Sequence, residues 1–249
     1  MSPDVSSGNV HTDAMHAGSP NGITLDSDLP DATILSRHAA WAKASGARSR
    51  TAAVVQINHP GRQEPAGSSK GGFFNKAIAP SAVPIDIGSG LIACAARKII
   101  FGTPREMSVE EIKQVVGQFA RAARFAADGG FDGVQIHGAH GYLVAQFLSA
   151  KSNLRTDDYG GTPENRARIV VEIIHAVQEA VKGKDKFCVG IKLNSVDHQS
   201  KGELKDCIAQ MRLIADAGVD FIEVSGGSFE DPQVRDFCGN GKHARMVAD

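Results

Sequence analysis

Strand-like and helix-like patterns alternate along this chain, and that alternation constrains the fold more than any other feature of the sequence. Apolar runs at residues 52–57, 133–136, 187–193 and 219–224 are short and read as continuous rather than alternating. That is the pattern of parallel strands covered on both faces. Helical patterns lie between and beside them. Residues 32–45 are Ala-rich and stop at Gly46. Residues 108–128 open on Ser108 and Glu111, the spacing of a capping box, and put Val109, Ile112, Val115, Val116 and Phe119 on one face. Thr162 can cap a further helix, with Pro163 at its first position and Ile169, Val170, Ile173, Ile174 and Val177 as its apolar stripe. Residues 203–217 carry Leu204, Ile208, Met211 and Ile214 and end at Gly218. This order predicts a parallel sheet with right-handed crossovers. An open doubly wound sheet and a closed (β/α)8 barrel both satisfy it. No G-x-G-x-x-G follows a strand and no Walker sequence is present, which lowers the nucleotide-fold reading.

Two stretches fall outside the alternation. Residues 58–105 are long for a strand-to-helix connection and rich in turn residues, including Gly72, Pro80, Pro84 and Gly88. Such a loop predicts a functional insertion over the active-site mouth. Residues 226–249 show no strand or helix pattern, so residues 228–249 are expected to be an irregular tail.

Composition excludes more than it identifies. At 249 residues, with 42% apolar content, the chain can build one sizeable α/β domain or two small ones. A net charge of −1 gives no sign of nucleic-acid or polybasic membrane binding. No apolar run reaches the length of a membrane span, and residues 1–10 lack the regions of a signal peptide. Cys94, Cys188, Cys207 and Cys238 are scattered without a C-x-x-C pair, which points to reduced thiols in a cytoplasmic setting.

The most chemically loaded segment runs from Phe131 to Tyr142. A short apolar strand breaks into glycine-punctuated loop where His137, His140 and Tyr142 appear. Strand C-termini are where catalytic groups collect in repeating strand–helix folds. Two imidazoles and a phenol can hold a carbonyl oxygen and deliver a proton. The plainer alternatives are two satisfied loop histidines and an aromatic packed at a helix start. A His-x-x-His metal site ranks third, because no carboxylate stands at ligand spacing.

Several segments carry a resemblance. Gln56-Ile-Asn-His-Pro-Gly-Arg62-Gln, Gly130 through Leu148, Asn153 through Arg168, Val189-Gly-Ile-Lys192-Leu-Asn and Phe221-Ile-Glu-Val-Ser225-Gly-Gly227 follow one another in order. Together they resemble the old yellow enzyme family, also called the NADH:flavin oxidoreductase / NADH oxidase family. The resemblance implies a (β/α)8 TIM-type barrel with FMN at its C-terminal mouth and NADH or NADPH as reductant. On that pattern residues 8–13 are the end of strand two, and the later strands are three to six. Units one, seven and eight have no counterpart, so the chain resembles a single incomplete barrel domain shortened at both ends.

The resemblance also assigns roles. His137 and His140 would bind the activating oxygen of a small-molecule substrate, and Tyr142 would protonate its α-carbon after hydride arrives at the β-carbon. The acceptor would be an electron-poor alkene, or oxygen. Gln56 would contact the flavin pyrimidine. Lys192, where many relatives carry arginine, would stand near the reduced ring. Their plainer readings are a polar strand end and a solvated or paired lysine. Arg155, Asp157, Tyr159, Asn165, Arg166 and Arg168 match the family but read as structural. His59 and Arg62 would lie at the mouth without direct substrate contact.

The competing expectation is a non-catalytic partial barrel with weak or no FMN binding. Its strands two and six would expose unpaired edges, which favour aggregation or a homo-oligomer.

Overall fold

The computed structural model describes residues 5–6, 8–47, 51–86, 88, 90–194, 201–227 and 244–247. Its frame is a mostly parallel sheet. Strands β1 (Val5–Ser6) and β2 (Val10–His11) both pair with β4 (Ala53–Asn58). From β4 the sheet continues through β7 (Gly133–Gly138), β8 (Cys188–Asn194) and β9 (Phe221–Ser225), parallel at every step. These match the expected units two to six.

Helices link them where the caps predict. Helix α1 (Asp31–Ala44) precedes β4, and α3 (Val109–Gly129) precedes β7. Ser108 and Glu111 form the expected reciprocal capping box, and Gly130 leaves the helix in the left-handed region at φ +94°. Helix α5 (Pro163–Ala180) starts at Thr162, whose hydroxyl accepts from the Asn165 N–H. Helix α6 (Lys201–Asp216) leads into β9. The buried cluster joins Ile112, Phe119, Ile169, Ile173 and Ile214 of these helices to Val55, Ile57, Val134, Ile136, Val189, Ile191 and Ile222 of the sheet.

Three expectations need correction. First, the strands are not uniformly apolar. Gln56, Gln135, His137, Lys192, Glu223 and Ser225 alternate with the buried aliphatics of the same strands. Period-two geometry sends them to the opposite face, so only one face of the sheet is packed by helices. The short apolar triplets hid this alternation.

Second, strands β2 and β9, the expected edges, each have a partner. Strand β3 (Ile23–Thr24) pairs with β2, and β10 (Ala244–Val247) pairs antiparallel with β9. The sequence pattern marked no strand beyond residue 226, because a four-residue edge strand needs no apolar run of its own. The stretch 228–243 lies outside the described residues. Among the described residues the sheet runs as an open path from β10 to β3.

Third, the 58–105 excursion is not merely turns. It holds the 3-10 turn Gly61–Gln63, β5 (Ile78–Ala79) and helix α2 (Leu91–Ile100), and β5 pairs with β6 (Arg105–Glu106) at its end. Helix α2 was missed because glycines crowd its approach. A six-residue helix, α4 (Leu143–Leu148), follows β7 directly. No helix among the described residues is long and apolar enough to cross a membrane.

Candidate active site

The polar face of the sheet carries the candidate site. In register across the strands stand Gln56 and Gln135, and one row further toward the C-terminal ends stand His137, Lys192 and Glu223. The five residues expected from sequence are thus divided between this face and the loop that leaves it.

His137 lies next to Gly138, the last residue of β7, and is buried. Its Nδ1 accepts the Ala139 N–H at 3.2 Å. That bond fixes the neutral tautomer, with the proton on Nε2. Burial holds its pKa well below the ordinary histidine value, helped by the nearby His140 and the Lys192 ammonium. His137 is therefore an uncharged hydrogen-bond donor. The His140 ring lies edge-on to it at 5.0 Å, and the Tyr142 ring at 4.7 Å. The three aromatic side chains form one packed group.

The loop is held with care. His140 sits at φ +57°, a left-handed conformation uncommon for a residue with a Cβ. Its N–H donates to Asn194 Oδ1 at 2.8 Å, and its carbonyl accepts from Gln63 Nε2 at 2.8 Å. Its ring Nε2 lies 2.9 Å from Ser225 Oγ. Tyr142 precedes α4, and its hydroxyl accepts from Asn9 Nδ2 at 3.0 Å. Burial raises the phenol pKa, and the Asn9 bond opposes this. The phenol is thus protonated at neutral pH. Because Asn9 donates to Oη, the phenol's own hydrogen is directed away from Asn9.

Gln56 and Lys192 belong to one hydrogen-bonded chain. Gln56 Nε2 donates to Gln135 Oε1 at 2.6 Å, and Gln135 Nε2 donates to Glu223 Oε2 at 2.8 Å. Lys192 Nζ lies 3.2 Å from Glu223 Oε1. Lys192 is therefore a paired lysine on the polar face. Beside this chain, the Asn58 amide is fully buried and neither its oxygen nor its nitrogen has a partner among the described residues. A buried orphan amide costs about 1–3 kcal/mol unless a bound group satisfies it.

A second histidine cluster stands beside the site. Buried His59 accepts the Gly61 N–H on Nδ1, and its ring lies 5.1 Å from that of His16, which contacts Glu64 at 2.6 Å. Burial, then the charges of His16 and His11, hold His59 well below its ordinary pKa. Arg62 donates to the Val83 and Pro84 carbonyls and so pins the excursion. Among the described residues no group of three His, Cys, Asp or Glu side chains could hold a metal ion. Cys94, Cys188 and Cys207 are thiols, and Cys238 lies outside the described residues.

The remaining charged matches tie loop to helix. Arg155 donates to the Pro80 and Met107 carbonyls, and Arg166 to the Leu148 carbonyl and to Asp206. Tyr159 donates to Glu172. Sequence reasoning missed Asn9, Gln135, Asn194, Glu223 and Ser225 as site residues. For the last four, the polar alternation within each strand was the available signal.

The model of the NADH:flavin oxidoreductase / NADH oxidase family matches residues 37–240. The chain is 56% identical over 243 residues to the NADH-dependent flavin oxidoreductase iliE of Neonectria sp. (strain DH2), covering 98% of this chain and 31% of that protein. It is 52% identical to the NADH-dependent flavin oxidoreductase iccE of Talaromyces variabilis, covering 97% and 57% respectively. An NADPH dehydrogenase of Bacillus subtilis (strain 168) is 37% identical over 186 residues, covering 74% and 48%. The chain thus spans between about a third and three-fifths of the length of these relatives. In fold it is similar to morphinone reductase, with TM-score 0.71 and 24% identity over 87% of this chain and 57% of that one. It is also similar to the old yellow enzyme homologue from Zymomonas mobilis, with TM-score 0.69 and 24% identity over 92% and 63%.

Proposed function

Since the chain belongs to the NADH:flavin oxidoreductase / NADH oxidase family, we propose that it carries the site of an FMN-dependent oxidoreductase that uses NADH or NADPH to reduce an electron-poor alkene such as an enone. The observation that carries this reading is the packed group of His137, His140 and Tyr142 beside the polar sheet face of Gln56 and Lys192.

The residues present fit a flavin. Gln56 offers an amide donor and acceptor, Lys192 a cation, and Asn58 an amide without a partner among the described residues. When bound, FMN supplies the hydride that it takes from the nicotinamide. Gln56 would hold the pyrimidine edge, and Lys192 would balance negative charge on the reduced ring. His137 and His140 would bind the substrate's activating oxygen. Their N–H groups then stabilise the charge that builds there as the β-carbon is reduced. Being neutral, His137 can donate this bond without releasing its proton at neutral pH. Tyr142 gives its proton to the α-carbon, and the Asn9 bond to Oη stabilises the phenolate left behind.

The experiment is to add FMN to the purified chain, measure bound flavin by absorbance, and follow NADH and NADPH oxidation with 2-cyclohexenone. Saturable yellow protein that consumes the nicotinamide only with enone present is the expected result. Bound flavin without enone-dependent turnover would refute the alkene reading. Protein that stays colourless in excess FMN would favour the non-catalytic partial barrel. That second reading is supported by the open path of the sheet among the described residues.

A further inference from the structure

We propose that Glu223 is a positioning residue that fixes which way the Gln56 amide faces, acting through Gln135. The inference rests on the flavin reading above for its purpose, but on the strand geometry for its substance.

An isolated glutamine amide can present either its oxygen or its nitrogen to a neighbour. Within this chain that freedom is removed link by link. Glu223 pairs with Lys192 at 3.2 Å, so it is a carboxylate that can only accept. Gln135, 2.8 Å away, must therefore turn its NH2 toward Glu223. Its oxygen is then committed to the other side, where Gln56 lies at 2.6 Å and must in turn present its NH2. The Gln56 oxygen and its second N–H are thereby given a single orientation. One charge on β9 sets the polarity of an amide on β4, with β7 and β8 between them.

A glycine lies on the strand that this link crosses. Gln135 is in register with Gly190, and Gly190 with Phe221. A Cβ at position 190 would collide with the Phe221 ring. The missing side chain at Gly190 makes room for the Phe221 ring, and Gln135 bonds Glu223 across β8.

The test compares wild type, Glu223→Gln, and the double exchange Glu223→Gln with Gln135→Glu, each as the whole chain. A glutamine at 223 can accept or donate, so the directional signal is lost. In the double exchange, the carboxylate at 135 again only accepts from Gln56. The first readout is the Gln56 side-chain amide resonances in flavin-free protein. Glu223→Gln should shift and broaden them, and the double exchange should restore one sharp pair. The second readout is FMN affinity by fluorescence titration. Glu223→Gln should weaken it by about tenfold, the scale of a hydrogen bond to a charged group, and the double exchange should recover most of that loss. Unchanged Gln56 resonances in Glu223→Gln, or a double exchange as weak as the single variant, would overturn the proposal. Should Glu223→Gln not fold, Gln135→Leu cuts the same link and must give the same two changes. A wild-type chain that binds no FMN would defeat the flavin reading instead, and the amide resonances would still decide the relay.

Discussion

The two faces of strands β4, β7, β8 and β9 are made from alternate residues of the same segments, yet they are built on opposite terms. The helix-covered face holds Val55, Ile57, Val134, Ile136, Ile191 and Ile222, all buried among the side chains of α3, α5 and α6. Its stability comes from apolar area removed from water, at about 25 cal/mol per Å². The other face holds His137 and the bonded run of Gln56, Gln135, Glu223 and Lys192, flanked by an Asn58 amide that has no partner among the described residues. An ordinary barrel interior is filled by branched aliphatics. Here the interior-type face gives up that packing for donors and acceptors, and the outer face must supply the cohesion.

Substitutions on each face can break that division of labour. The largest expected effect is on the polar side. Tyr142→Phe should lower enone-dependent turnover by roughly 10²–10⁴-fold, the range for a lost general acid, while the melting temperature hardly moves. A variant that melts early with unchanged turnover per folded molecule would make Tyr142 a packing residue. Next, on the apolar side, Ile136→Ala should cost about 2–5 kcal/mol in urea unfolding, with FMN affinity of the folded protein unchanged. Loss of FMN binding ahead of stability would show that the two faces are not separable.

Acid should act through the histidines. His11, His59 and His137 are held below the ordinary value of 6.5, each chiefly by burial. Below that pH the unfolded chain takes up protons that the folded chain refuses. Stability present above about pH 6.5 is therefore lost as pH falls, at about 1.4 kcal/mol per pH unit for each such histidine. Urea midpoints between pH 7 and 5 measure the slope, and a flat profile would mean that these rings are solvated. The smallest effect belongs to neither face. Ser108→Ala removes the α3 cap and should cost about 1 kcal/mol in the same unfolding assay, without touching flavin binding.

Much of this was legible in the sequence because much of it is local. The Ser108 and Thr162 caps, the Gly130 and Gly218 stops and the helix stripes each depend on residues within one or two turns. The grouping of His137, His140 and Tyr142 was legible for the same reason, since five positions separate the first from the last. Helix α2 was not, because glycines before it looked like a turn. The polar alternation in β4, β7, β8 and β9 was present in the letters but was obscured by the apolar residues between. The two edge strands were invisible, since two or four residues of pairing need no pattern.

By itself, then, the sequence determined the order of elements, their caps and the aromatic triad, because short-range sterics and hydrogen bonds decide those. Only the tertiary structure decided that Asn9 reaches Tyr142 across 133 positions, and that Gln56, Gln135, Glu223 and Lys192 meet in one chain. Those contacts depend on strand register. Register is set by how the apolar face packs against its helices, and one residue of slip would send every polar group to the wrong side.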